Sequence, residues 1–204
     1  IGDIRNKLSL DKIIKEAKPD IVFHLAAQPI VNIGYQKPLL TWETNLMGTL
    51  NLLQSLREND QSCSVVVVTT DKVYKNNEWL FGYRENDQLG GHDPYSASKA
   101  ALELAVSSWR DSYFQDTERK NANIKIATAR AGNVIGGGDW APNRIVPDVI
   151  KSLISKKELV IRNPYSTRPW QHVLEPLWGY MLLAKALHEN EEGFNEAFNF
   201  GPEI

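Results

Sequence analysis

Tyr95 and Lys99 stand four residues apart in the stretch His92-Asp93-Pro94-Tyr95-Ser96-Ala97-Ser98-Lys99. If residues 95–114 form a helix, the two side chains lie on one face, one turn apart. An ammonium beside a phenol favours the phenolate and lowers its pKa from a reference of about 10. A phenol tuned in that way can exchange a proton with a hydroxyl while a hydride leaves the same carbon. The spacing also suits a solvated helix face, so the neighbouring residues must decide. Thr69-Thr70-Asp71-Lys72 sets hydroxyl, carboxylate and amine in a row. Such groups can hydrogen-bond a substrate hydroxyl and move protons, or they can form a turn with an Asx-type cap. In His24-Leu25-Ala26-Ala27-Gln28 the small residues would let a cofactor approach the backbone, or would pack a strand against a helix. Arg130-Ala131-Gly132-Asn133-Val134 carries Asn133, which could orient a ligand or support a turn.

These groups act only if the chain gathers them. A helical pattern over residues 9–18 ends at Pro19. Residues 21–25, Ile-Val-Phe-His-Leu, read as a continuous apolar strand of the kind buried on both faces of a parallel sheet. Apolar residues at helical spacing predict a helix over residues 41–59, and residues 65–70 and 124–129 read as further strands. A polar, Gly-rich loop over 75–93 leads into the helix of Tyr95. Strands separated by helices predict an α/β fold, a Rossmann-like doubly wound parallel sheet, over residues 1–134. Beyond that the texture changes. An irregular run from Gly136 to Pro142, a helix at 146–155, a short strand at 159–162 and a helix at 175–189 predict a smaller C-terminal substrate-binding region over 135–204, mixed with the last elements of the sheet. Ligands of open α/β sheets sit at the carboxyl ends of the strands, where all the groups above fall.

Composition excludes several classes of function. Lys plus Arg number 23 against 25 Asp plus Glu, a net charge of -2, which gives no electrostatic footprint for nucleic acid or an anionic membrane. No apolar run approaches the length of about 20 residues needed to span a bilayer, and no basic-then-apolar leader opens the chain. Cys63, without a disulfide partner, fits the reducing cytoplasm. His92 and His172 lack metal-ligand spacing, so no metal is expected. The chain opens on Ile1-Gly2-Asp3-Ile4-Arg5 rather than methionine, which predicts a fragment of a longer protein.

Taken in order, the motifs resemble the extended short-chain dehydrogenase/reductase family. They are Asp3, the His-Leu-Ala-Ala strand end, Asn45 within Thr44-Asn45-Leu46-Met47-Gly48-Thr49, Thr70-Asp71, the Tyr95-x-x-x-Lys99 pair and Arg130-x-Gly-Asn133. Within that family the chain is most similar to the CDP-glucose branch of the nucleotide-sugar 4,6-dehydratases. The supporting stretches include residues 82–87, Gly90 to Tyr95, Arg130 to Trp140 and Arg168 to Pro176. Lys72 stands where most dehydratases of nucleotide sugars carry glutamate, as in that branch.

The resemblance implies NAD as cofactor, held by Asp3, Ile4, Leu25, Ala26, Ala27, Gln28, Thr44, Thr69, Tyr95 and Lys99. It implies catalysis by Thr70, Asp71, Lys72, Tyr95 and Lys99, with Thr70 on the sugar's 4-oxygen and Asp71 protonating the departing 6-hydroxyl. An acid for that task would need a pKa raised by burial. Gln28, Thr70 and Asn133 would meet the substrate, CDP-glucose. Arg168, whose fork can grip a diphosphate at two points, is the first candidate for its phosphates and Arg144 the second. Trp140 and Trp170 line a nucleotide pocket or simply pack between loops. The implied assembly is a homodimer through helices at 41–59 and 95–114, and the implied pathway is deoxy-sugar supply for bacterial surface polysaccharide such as O-antigen. Two other readings stand beside this one. The first is a 4-epimerase or another nucleotide-sugar dehydratase of the same fold, of which an epimerase would return the hydride to C4 and need no acid at Asp71. A non-catalytic piece is the second, because the family's Gly-rich cofactor turn is not within these 204 residues.

Overall fold

Alternation along Cys63–Val68 sets the layers. Side chains of a strand point to opposite faces in turn, and Cys63, Val65 and Val67 join one buried cluster while Val66 joins another. The computed structural model describes residues 2–59, 62–114, 124–161 and 163–202. In chain order the first elements are α1 (Lys7–Ala17), β1 (Ile21–His24), α2 (Val31–Gln36), α3 (Pro38–Trp42), a π turn (Glu43–Met47), α4 (Gly48–Glu58) and β2 (Cys63–Val68). A 3₁₀ turn (Asp71–Val73), α5 (Pro94–Trp109), a second π turn (Arg110–Phe114) and β3 (Ile124–Ala131) follow. The chain continues with β4 (Val134–Ile135), α6 (Ile145–Ser155), β5 (Gln171–His172), α7 (Leu174–His188) and β6 (Ala197–Phe200).

The main sheet runs β1-β2-β3-β6 with every pair parallel, and β4 and β5 form a separate parallel pair. One face packs Ile14 of α1, Leu52, Leu53 and Leu56 of α4, and Leu102 and Val106 of α5 against Val65, Val67, Ile124 and Ile126. The other face packs Tyr180, Leu183, Ala184 and Leu187 of α7 against Val66, Ala127 and Ala129. Each fully buried Val or Leu there contributes about 1.5–3 kcal/mol. At Gly179 a Cβ would lie 2.3 Å from the ring of Phe200, so α7 rides close on β6 only because that residue is glycine. No helix among the described residues is long and apolar enough to cross a membrane.

Several expectations need correction. The helix expected from 41 begins at Pro38, whose ring suits a first helical turn, and it is interrupted by the Glu43–Met47 π turn. The extra residue of such a turn rotates Asn45 into the interior. β1 is not buried on both faces. Among the described residues it pairs only with β2, and Ile21 and Phe23 stay 39% and 43% exposed. The strand expected at 159–162 is absent over 159–161, which carries no ladder, and Arg162 lies outside the described residues. The β4–β5 pair was not foreseen, because two-residue strands leave no period to read.

Candidate functional site

The start of α5 is fixed by a local device. Asp93 caps it, with Oδ1 accepting from Tyr95 N at 2.9 Å and Ser96 N at 3.1 Å, while Ser96 Oγ accepts from Asp93 N at 3.2 Å. This capping box satisfies the first amides, and Pro94 costs the helix nothing at its first position. Gly91 passes so near that a Cβ would fall 2.3 Å from the Ser96 backbone. Tyr95 is thereby placed, buried, at the carboxyl ends of the strands.

Thr70 lies beside it. Its one hydroxyl proton can go to Asp71 Oδ1, 3.1 Å away, or to the Tyr95 oxygen, and the hydroxyl accepts weakly from Lys72 N at 3.4 Å. Lys72 Nζ donates to the same Asp71 oxygen at 3.1 Å. Asp71 is not buried as the expected acid role required, since its side chain is 32% exposed.

The expected lowering of the phenol by Lys99 is not what this protein shows. Burial pushes Tyr95 above its usual value, Asp71 and Asp93 add to that, and the Thr70 hydrogen bond and Arg144 oppose it. Lys99 instead donates to Val68 O at 3.1 Å. Burial draws its ammonium down to about 8, with Glu103 opposing.

β1 ends at His24, which is buried. Thr49 Oγ1 donates its single proton to Asn45 O at 2.7 Å, so it must accept from His24 Nε2–H at 2.8 Å, which fixes the tautomer. Burial, and then Lys99, lower His24 to about 3. An unfolded histidine titrates near 6.5, so the unfolded chain binds the extra proton between pH 6.5 and 3. This contribution to stability is complete above pH 6.5 and is lost as pH falls toward 3, on the order of a few kcal/mol. His24→Gln keeps the donor to Thr49 and removes the titration. Urea unfolding between pH 7 and 4 is expected to show a flatter decline for the variant. Equal slopes would refute the assignment.

The π turn aims Asn45 at the neighbouring loop and helix. Asn45 Oδ1 accepts from Gln28 N at 2.7 Å, and Nδ2 donates to Gln28 O at 3.2 Å and to Ser98 Oγ at 2.9 Å. Ser98 Oγ in turn donates to Tyr95 O at 2.7 Å.

The other expected contacts divide. Leu25 and Ala26 are exposed and Ala27 half-buried, a small-sided ledge where a flat ring could lie against backbone. Asn133 Oδ1 is buried without a partner among the described residues, an acceptor left for a ligand. Arg144 is near enough to act electrostatically on Tyr95, though Asp139 holds it at 2.8 Å. Thr44 is half-buried on the π turn, and Ile4 packs onto the core. Asp3 is gripped by Arg5, whose hydrogen bonds hold the carboxyl at about 2.

Three expected contacts fit less well. Gln28 spends its side chain on Thr41 Oγ1 and Ile30 N, both bonds internal. Thr69 turns away from the strand-end ledge and donates to buried Glu103 at 2.5 Å. Arg168 is exposed, its Nη1 donating to Thr167 O at 2.6 Å, and unlike Arg144 it shows no electrostatic effect on Tyr95. Trp140 and Trp170 are exposed. Among the described residues no group of three or more His, Cys, Asp or Glu side chains is placed to hold a metal ion.

Sequence reasoning missed Glu103, which joins α5 to the sheet. Its position was legible, because 95, 99 and 103 share one helical face, but nothing in the sequence showed what it would meet.

Comparison with known proteins adds three findings. The family described as GDP-mannose 4,6 dehydratase matches residues 1–195. The CDP-glucose 4,6-dehydratase of Salmonella typhimurium is 50% identical over 202 residues, covering 99% of this chain and 56% of the relative. The CDP-paratose 2-epimerase of Salmonella typhi is 37% identical over 155 residues, 69% of this chain and 43% of that protein. The chain thus spans about half the length of the curated relatives it matches. Among solved structures, a UDP-glucose 4-epimerase from Thermotoga maritima superposes with a TM-score of 0.82 at 24% identity, covering 98% of this chain and 61% of that one. A dTDP-glucose 4,6-dehydratase from Streptomyces venezuelae, solved with NAD bound, gives 0.80 at 24% identity over 100% of this chain and 57% of its own. At that identity both confirm the α/β Rossmann-like fold.

Proposed function

The chain belongs to the GDP-mannose 4,6 dehydratase family, and we propose that it is the catalytic portion of an NAD-dependent CDP-glucose 4,6-dehydratase, a hydro-lyase of the cytoplasm. The observation that carries this reading is the convergence of Thr70, Asp71, Lys72 and Tyr95 at one strand end, in a chain 50% identical to a protein of that name. The ledge at 25–27 and the Lys99 ammonium suit a flat nicotinamide and its ribose, and the unpaired Asn133 oxygen suits a sugar nucleotide. NAD, when bound, supplies a hydride acceptor for C4 of the sugar and returns that hydride at C6.

The chain's own groups do the rest. Tyr95 takes the proton of the 4-hydroxyl, and Thr70, placed between Tyr95 and Asp71, holds the 4-oxygen. A ketone at C4 acidifies the C5 proton, which passes to a base beside the sugar. Asp71, which must take up a proton before this step, gives it to the 6-hydroxyl that leaves as water. A proton returns to C5 as the hydride arrives at C6. Lys72 keeps Asp71 oriented through their 3.1 Å contact. Arg144 is the cation we assign to the substrate phosphates. A 4-epimerase of the same fold has no use for an acid beside Thr70. We further propose a homodimer through the helical segments at 41–59 and 95–114, where Met47 of the π turn and Leu104 of α5 are exposed, and a place in deoxy-sugar synthesis.

Incubating the full-length protein with NAD and CDP-glucose is expected to yield the 4-keto-6-deoxy nucleotide sugar. Deuterium placed at C4 should appear at C6. Turnover of UDP- or dTDP-glucose with no product from CDP-glucose would overturn the nucleotide assignment, and recovery of an epimerised hexose would overturn dehydration.

A further inference from the structure

Glu103 lies one turn beyond Lys99 on α5 and is 4% exposed. A buried carboxylate is tolerated only with donors around it. Glu103 has three, namely Thr69 Oγ1 at 2.5 Å, Thr128 Oγ1 at 2.7 Å and Arg130 Nη2 at 2.9 Å. Thr69 immediately precedes Thr70, and Thr128 and Arg130 lie on β3. A single carboxylate therefore joins the strand end bearing Thr70, Asp71 and Lys72 to the helix bearing Tyr95 and Lys99. Arg130 extends the contact, since Nη1 donates to Tyr74 OH and to Glu85 O, each at 2.8 Å.

We propose that Glu103 is a positioning residue for the reaction, fixing the Tyr95 helix against the strand ends and keeping the Lys99 ammonium charged. The step it serves rests on the dehydratase reading, whereas the contacts do not. Burial draws Lys99 down to about 8, and Glu103 is the group that opposes it. Among the other ionisable groups on elements packed against α5, buried Arg110 of the following π turn also feels the Glu103 charge. His24 of β1 is held neutral, Asp71 and Lys72 pair with each other, Arg130 pairs with Glu103, and Lys37 and Glu43 are exposed.

Glu103→Gln keeps the length and an acceptor but removes the charge. In the full-length protein the pH at which Lys99 loses its proton is expected to fall by about 1 unit or more. A carbon NMR titration of lysine side chains, with Lys99 assigned through Lys99→Arg, should show the same shift without any turnover. Because Glu103→Gln strands the Arg130 charge, the double variant Glu103→Gln/Arg130→Met is measured beside it and should show a displacement in the same direction but smaller, since loss of the Arg130 cation offsets part of it. Glu103→Asp retains the charge on a shorter arm. It should leave the Lys99 titration in place while lowering kcat. An unmoved Lys99 titration in the neutral variants overturns the proposal. A wild-type protein whose Lys99 titrates as stated but which forms no dehydrated product overturns the dehydratase reading instead.

Discussion

Tyr95→Phe in the full-length protein is expected to lower kcat for CDP-glucose dehydration by about 10²- to 10⁴-fold, with KM little changed. The substitution removes one oxygen and leaves the ring in its buried seat in the first turn of α5, which Asp93 caps. Folding and substrate binding should therefore survive, and the loss should fall on the step in which the 4-hydroxyl gives up its proton. The pH profile separates this from a packing effect. Burial holds Tyr95 above its usual value, so activity should rise with pH on the limb where the phenol ionises, and the Thr70 hydrogen bond pulls that limb down. Thr70→Val removes the pull, and the limb should move to higher pH. Wild-type kcat in Tyr95→Phe would mean that Asp71 or Lys72 carries the proton, and the assignment of the base would fall.

The sequence made the parts of this site legible and left their mutual bonding hidden. Tyr95 and Lys99 could be placed on one helical face by spacing alone, and Asp93-Pro94 marks where that helix begins. What spacing could not supply was the third dimension. Lys99 Nζ has reached Val68 O, so the phenol's environment is set by burial, Thr70 and two carboxylates rather than by the expected ammonium. Thr69 is implied as a cofactor contact by the resemblance. Its alternation with Thr70 sends it to the opposite side, onto Glu103. Asn45 was legible as a motif residue, but its inward rotation depends on the Glu43–Met47 π turn, and no periodicity announces one extra residue in a helix. Arg168 and Arg144 are chemically alike in the sequence. Only the fold brings Arg144, at the start of α6, near Tyr95.

Arg130→Met should destabilise the protein by about 3–5 kcal/mol, the usual cost of leaving one partner of a buried ion pair uncompensated. Arg130 is 5% exposed, and its side chain lies 2.9 Å from Glu103 and 2.8 Å from Tyr74 OH. Methionine fills much of the same volume, so the expected loss is electrostatic and not that of a cavity. Glu103 would keep only the two threonine hydroxyls, and Tyr74, which donates to Asn199 Oδ1 at 2.6 Å, would lose the cation it faces. Two strands and the Tyr74 segment would loosen together, since Arg130 and Asn199 are register partners across β3 and β6. For a domain of about this size each kcal/mol moves Tm by about 2–4 °C, so the change should be plain in a thermal scan. Neutralising both partners in Glu103→Gln/Arg130→Met is expected to recover most of the loss, because neither charge is then stranded. A double variant no more stable than Arg130→Met would show that the pair serves by shape and hydrogen bonding rather than by charge, and would weaken the case for Glu103 acting on Lys99 through its field.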